Sequence, residues 1–280
     1  MGVGIELYAR RWKGSSGLPF LLVHGLASNC LTWDGVARRL HEHGHSVTSV
    51  DLRGHGRSAK PDHGYDFAAL TSDLLAVLDH LEWSQAVVAG QSTGGNLAVE
   101  LASRAPARVA GAVGVDGGFI ELRARWPQWE DCEQALGPPE LEGMPRSRVA
   151  AAMRATHREW SDEGIDATLA NLEVLADGTV RPWLTRERHL HILRALWEHR
   201  PSEVIATSPV PLLLVPADSG DAWSRGKHVE IDRAVAAGRN VQVRWFSPSD
   251  HDVHVEHPVE LADVLHEFAQ PLASGAGRRP

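Results

Sequence analysis

Short apolar runs alternate with longer helix-period stretches along most of this chain, and that alternation limits what it can fold into. The runs are Phe20–Val23, Val47–Val50, residues 86–89, Val109–Val115, Leu212–Val215 and residues 241–246. Near-continuous apolar runs read as strands buried on both faces of a parallel sheet. Between them, residues 33–43, 67–81 and 94–104 carry apolar side chains at helical spacing. Gly44 stands where a helix can end in the left-handed conformation. Alternating β and α units predict an α/β fold, a mostly parallel sheet flanked by helices, with ligands at the carboxyl ends of the strands.

The alternation stops at about residue 118 and resumes after Pro201. The stretch between holds Trp126, Trp129, Trp160, Trp183 and Trp197, half of the ten tryptophans. It carries helix-period segments at 146–159 and 185–199 and no strand pattern. It is expected to be a helical cap inserted between two strands of one sheet, over their carboxyl ends. Residues 1–117 and 206–272 then form the two parts of the core, residues 118–205 the cap, and 273–280, rich in Gly, Ser, Arg and Pro, a disordered tail.

With 280 residues, 43% of them hydrophobic, the chain can bury a large core. Its formal charge of -8 argues against a nucleic-acid partner, which would need a clustered basic surface. The two cysteines, Cys30 and Cys132, form no C-x-x-C pair and imply no disulfide framework. No apolar run approaches the length of a membrane span and no signal-peptide pattern opens the chain. A soluble cytoplasmic protein is the default expectation, with homo-oligomerisation left open.

Gly90-Gln91-Ser92-Thr93-Gly94 matches G-x-S-x-G. The match gains weight from its setting, a strand pattern before it and a helix pattern after it. A turn this sharp would hold Ser92 in a strained conformation, with Gly90 and Gly94 leaving room where a Cβ would clash. The serine would stand above the sheet at a helix start, where free N–H groups favour negative charge. The competing reading is a glycine-rich βα turn with an ordinary capping serine.

Three further motifs tip the balance. His24-Gly25-Leu26 ends one strand, Asp51-Leu52-Arg53-Gly54-His55-Gly56-Arg57-Ser58 follows another, and a histidine-rich loop, Asp250-His251 to His257-Pro258, lies near the end. In this order and spacing they resemble the α/β-hydrolase superfamily, in its branch of capped esterases, lactonases and carbon–carbon bond hydrolases. The resemblance covers nearly the whole chain outside the cap. It implies a nucleophile at Ser92, a base at His251 and an oxyanion hole of the Leu26 and Thr93 backbone N–H groups. Asp250 departs from the family's usual glycine, and could perturb the base electrostatically. The nucleophile argues against epoxide hydrolases and haloalkane dehalogenases, which use aspartate there.

The acid that orients His251 has three candidates. The usual family position is the loop after Leu212–Val215, where Asp218 and Asp221 straddle the expected spacing and Asp218 is preferred. The rival is Asp116, which ends the earlier run Val109–Val115. The expected activity is hydrolysis of an ester, lactone or related carbonyl compound through an acyl-enzyme, without cofactor or metal. Carbon–carbon hydrolysis, thioester hydrolysis and perhydrolysis remain alternatives, as does a non-catalytic small-molecule-binding homologue. The substrate is expected to carry an apolar body, held in an apolar pocket that the cap makes over Ser92; the five cap tryptophans motivate this, although such residues more often pack than bind. His41, His43 and His45 invite a metal reading, but straddle a helix end and a strand start. One of His189 and His191 is a candidate pocket residue, and Arg53 and His55 are assigned to turn geometry.

Overall fold

The computed structural model describes residues 5–275. The first half runs β1 (Ala9–Trp12), β2 (Phe20–Val23), α1 (Asp34–Glu42), β3 (Val47–Val50), α2 (Phe67–His80), β4 (Ala86–Gln91), α3 (Thr93–Arg104) and β5 (Val109–Val115). The insertion follows as α4 (Leu122–Arg125), α5 (Trp129–Leu136), α6 (Arg146–Thr156), α7 (Asp162–Leu169), β6 (Leu172–Val174), β7 (Val180–Pro182) and α8 (Arg186–Glu198). The chain then continues through α9 (Pro201–Thr207), β8 (Leu212–Val215), α10 (Ala222–Ala237), β9 (Val241–Val243), α11 (Val253–Glu256) and α12 (Pro258–Gly275).

Seven strands form one sheet in the order β1-β3-β2-β4-β5-β8-β9. All neighbours are parallel except β1, which pairs antiparallel with β3. The sequence gives no sign of β1, because Ala-Arg-Arg-Trp is an edge strand with one partner and no apolar run. Along β2 the side chains alternate: Phe20 and Leu22 join the core under α1 and α12, Leu21 and Val23 the core under α2 and α3. Each fully buried leucine here contributes roughly 1.5–3 kcal/mol. The strand order reverses direction between β2 and β4, so their carboxyl ends open a crevice where ligands bind in sheets of this kind.

The insertion is not all helix. The β6–β7 hairpin turns through Asp177-Gly178, with Gly178 at φ 81° and the Asp177 carboxylate accepting from the Thr179 N–H at 2.9 Å. Strands of three residues are too short to display an alternating pattern, and the Asp-Gly pair was their one sequence signal. The insertion has its own small core of Val149, Trp160, Ile165, Leu169, Leu172 and Val180, closed by Val255 from α11. Helix α9 begins inside the 118–205 range read as cap and crosses its end, yet it packs on α3 and α10 and puts Ile205 into the main core. At the other end, α12 runs through residues 273–275, expected to belong to a disordered tail; residues 276–280 lie outside the described part. Among the described residues no helix is long and apolar enough to cross a membrane.

Candidate active site

Ser92 sits between β4 and α3 at φ 53° and ψ -121°, a left-handed conformation that side chains other than glycine rarely adopt. The two glycines around it are required sterically. A Cβ on Gly90 would lie 2.0 Å from the Gly94 carbonyl oxygen, and one on Gly94 would lie 2.4 Å from that of Val23. Ala27 and Asp116 also have positive φ, at 58° and 40°. Strain of this kind gathers where surrounding structure holds a site in place.

The end of β2 faces this turn. His24 is fully buried; its Nε2 accepts from the Leu52 N–H at 3.0 Å, so Nδ1 carries the proton and donates to the Gly25 carbonyl at 2.7 Å. His55, also buried, accepts the Ala27 N–H on its Nε2 at 3.3 Å. The two imidazoles thus brace the turn that carries Leu26. Burial keeps both rings in the neutral form by lowering their pKa values. Thr93 is the first residue of α3, so its N–H has no intrahelical acceptor and remains available beside Ser92. Leu26, Ser92 and Thr93 line one cavity.

His251 enters the same cavity from the loop after β9. The Gln91 side chain, next to Ser92, donates to the His251 carbonyl at 3.3 Å and ties the loop to the Ser92 turn. No hydrogen bond joins Ser92 to His251 in this arrangement; such contacts often tighten only with substrate bound. The other ring nitrogen, Nδ1, donates to Asp116 Oδ2 at 2.6 Å. Asp116 ends β5 and is almost fully buried. Its Oδ1 also accepts the Ala217 N–H at 3.0 Å, and Lys227 Nζ reaches both oxygens, at 2.8 and 2.7 Å. Lys227, buried on α10, gives a further hydrogen bond to the Ala217 carbonyl at 2.9 Å.

These contacts set the protonation states. Desolvation works against ionised Asp116, but the His251 hydrogen bond, the His251 charge and Lys227 outweigh it and hold the carboxyl below its usual range. For His251, desolvation disfavours the charged ring, while the Asp116 hydrogen bond and charge favour it more, so its pKa rises above the ordinary histidine value. Asp252 adds to this rise and Lys227 opposes it.

The preferred acid of the sequence analysis, Asp218, does not meet His251. Its Oδ1 accepts the Gly220 N–H at 2.8 Å, closing a turn of its own loop. Asp221 is the N-cap of α10 and accepts from the Ser224 N–H at 2.7 Å. Both carboxylates are used locally, whereas Asp116 projects from a buried strand end toward the histidine loop. Lys227 was missed altogether; a single lysine in a helix, 111 residues from its partner, leaves no signal in sequence. Asp250, read as the acid able to perturb the base, is exposed, and its N–H donates to Glu256 at 2.9 Å. His254 is buried against the Trp33 ring with both ring nitrogens unpartnered among the described residues. Two histidines of the H-x-H-x-H run bind within the protein, His43 to Asp263 and His45 to Leu18 and His266, and His41 is exposed.

The cavity over Ser92 has a volume of about 240 Å³. Its lining includes the apolar Leu26, Phe119, Ile120, Leu136, Leu193 and Leu196, together with Glu121, Lys227 and an Arg125–Glu230 ion pair at 3.4 Å. None of the cap tryptophans lines it. Trp197 is buried and gives its indole N–H to the Trp126 carbonyl at 2.7 Å, with Trp129 packed edge-on against it; Trp160 belongs to the small cap core. Packing consumed the aromatic surface of these four, whereas Trp183 lines a second cavity. Of His189 and His191, the first lines the cavity and the second is exposed.

A profile of the alpha/beta hydrolase family matches residues 20–264, and the chain belongs to that family. It is similar to a putative non-heme haloperoxidase of Mycobacterium phage D29, 39% identical over 101 residues, which span 36% of each chain. An uncharacterized protein of Mycobacterium tuberculosis is 25% identical over 275 residues, 93% of this chain and 78% of that one. Among solved structures, an E-2-(acetamidomethylene)succinate hydrolase superposes with a TM-score of 0.75 at 24% identity, over 94% of this chain and 95% of the other. An N-acyl homoserine lactone-degrading enzyme superposes with a TM-score of 0.69 at 20% identity, over 96% and 98%. At these identities the structural likeness speaks for the fold.

Proposed function

We propose that the protein is a serine hydrolase that cleaves an ester or lactone through an acyl-Ser92 intermediate. The observation that carries this reading is the Asp116–His251 hydrogen bond at the rim of the cavity that Ser92 lines. Asp116 fixes the His251 tautomer, leaving Nε2 free to accept the Ser92 proton as the hydroxyl attacks the substrate carbonyl. The carbonyl oxygen, now negative, is held by the Leu26 and Thr93 N–H groups; removing one such donor typically costs about 2.7–4 kcal/mol of transition-state stabilisation. His251 then protonates the leaving alcohol, and a water activated by the same imidazole hydrolyses the acyl-enzyme. The apolar side chains lining the cavity suit a substrate with a hydrocarbon body.

Labelling with a fluorophosphonate and reading intact mass tests the nucleophile. One adduct is expected on the wild type and none on Ser92→Ala, whose kcat on a p-nitrophenyl ester should fall by a factor on the order of a million. A Ser92→Ala variant keeping a tenth of the wild-type rate would end the proposal.

A second reading, perhydrolysis, is favoured by the haloperoxidase relatives from phage D29 and from Streptomyces lividans, the latter 36% identical over 111 residues. In it hydrogen peroxide replaces water at the acyl-enzyme, giving a peracid. Peracid formation from acetate and peroxide, absent in Ser92→Ala, would support it.

A further inference from the structure

A second cavity, of about 180 Å³, lies between cap and core beside the one that holds Ser92. The imidazole of His189 lines both. Leu26 faces the first cavity and its neighbour Ala27 the second, so the two spaces meet at the turn that faces Ser92. His189 is buried on α8 and donates from Nε2 to the Leu136 carbonyl at 3.2 Å, the one hydrogen bond of its ring among the described residues.

The two cavities differ in chemistry. Around Ser92 stand Asp116, Glu121, Arg125, Lys227 and Glu230. Among the described residues lining the second cavity there is no carboxylate, ammonium or guanidinium; its walls include Val149, Met153, Leu172, Trp183 and Leu184. The polar groups that do face it are neutral and mostly engaged: His55 by Ala27, and Asn171 by Asn29. Such a space suits hydrocarbon and disfavours a charged or strongly hydrated group.

Direction follows from the chemistry. The leaving group must lie beside His251, which gives it a proton, and His251 lines the first cavity and not the second. The acyl portion therefore extends away from His251, past Leu26 and His189. We propose that the second cavity is an acyl-chain subsite with His189 as its gate, so that the substrates are esters or lactones of medium-length, unbranched fatty acyl groups. This rests on the serine-hydrolase reading above. A chain that passes the gate gains roughly fourfold in binding per buried methylene.

The test compares p-nitrophenyl acetate with p-nitrophenyl decanoate and reads the ratio of their kcat/KM values. His189→Ala, which opens the passage, should raise the decanoate-to-acetate ratio at least tenfold. Val149→Trp and, separately, Met153→Trp, which fill the second cavity, should lower it at least tenfold, and should cancel the gain when combined with His189→Ala. Fold retention is checked by circular dichroism, and two filling variants guard against one failing to fold. Ratios unchanged by opening and by filling would overturn the subsite. A readout independent of turnover is calorimetric binding of decanoate to Ser92→Ala protein. It should tighten with His189→Ala and weaken at least tenfold with either filling variant. Absent fluorophosphonate labelling would sink the hydrolase reading by itself, while unchanged decanoate binding would sink the subsite by itself.

Discussion

The Asp116 carboxylate accepts the Nδ1 proton of His251 at 2.6 Å, across 135 residues of chain. It is the contact that chooses between the candidate acids, because neither Asp218 nor Asp221 bonds to the histidine.

Asp116→Asn should therefore cripple turnover. An amide in that place can donate to His251 and hold the wrong tautomer, at a cost of roughly ten-thousand-fold in kcat in the worked protease case. Asp218→Asn should stay within a few-fold of wild type. Steady-state kinetics on one ester decide the matter; the reverse ranking would return the acid to the later loop.

The raised pKa of His251 has a definite consequence for pH dependence. In the proposed mechanism His251 must be neutral to accept the Ser92 proton, so kcat/KM should fall as pH drops through a value above 6.5, the ordinary histidine pKa. Lys227 opposes protonation of His251, while Asp116 and Asp252 favour it. Lys227→Met should move the acid limb to still higher pH. It should also cost about 3 kcal/mol of stability by leaving Asp116 short of its partner. A limb that stays in place, measured in a folded variant, would show that Lys227 has no hold on the base.

Gly94→Ala tests the close packing at the nucleophile turn. The added methyl would sit 2.4 Å from the Val23 carbonyl oxygen and 2.6 Å from that of His24, both backbone atoms of β2 and its turn. Relief requires moving β2 away from α3, so a loss of about 3 kcal/mol or more is expected, together with loss of activity. Denaturant titration giving wild-type stability would mean that the strand end is more yielding than its packing implies.

Buried neutral histidines should make the protein acid-sensitive. His24, His55, His189 and His254 all have lowered pKa values, first through desolvation, and that of His254 falls to about 3. A base whose folded pKa is depressed contributes stability that is present above its unfolded pKa and lost as pH falls. For His254 the window runs from about 6.5 down to about 3. His251, with its raised pKa, works in the opposite direction, so variants are best compared with wild type. His254→Leu should reduce the loss of unfolding free energy between pH 6.5 and 4.5 by up to one proton's worth. At pH 8 it should be at least as stable as wild type, since the imidazole it removes has no hydrogen-bond partner among the described residues. An unchanged pH slope would count against this account.

Much of the protein was written locally. The near-continuous apolar runs specify strands because a strand buried on both faces has no polar face to present, and five of the six runs recur in the sheet with the same start and nearly the same end. The sixth stops at Val243, with Phe246 keeping only an isolated bridge to Ala217. Gly90, Ser92 and Gly94 were legible because a turn that sharp tolerates few residue types, and His251 because the resemblance to the α/β-hydrolase superfamily singles out the first histidine of the last loop. The three-residue strands of the cap hairpin and the edge strand β1 were not legible, since too few residues carry the pattern. Nor was the pairing of Asp116 with His251 or with Lys227. Asp116, Asp218 and Asp221 are equivalent in chain order, all lying between Ser92 and His251. Only the folded sheet, which sets the end of β5 against the histidine loop while Asp218 and Asp221 cap their own turns, separates them. The cap tryptophans make the same point from the other side: sequence shows that they are there, but whether an aromatic ring meets substrate or a neighbouring helix depends on which faces of α4, α5 and α8 pack together, and that is decided by contacts between residues far apart in the chain.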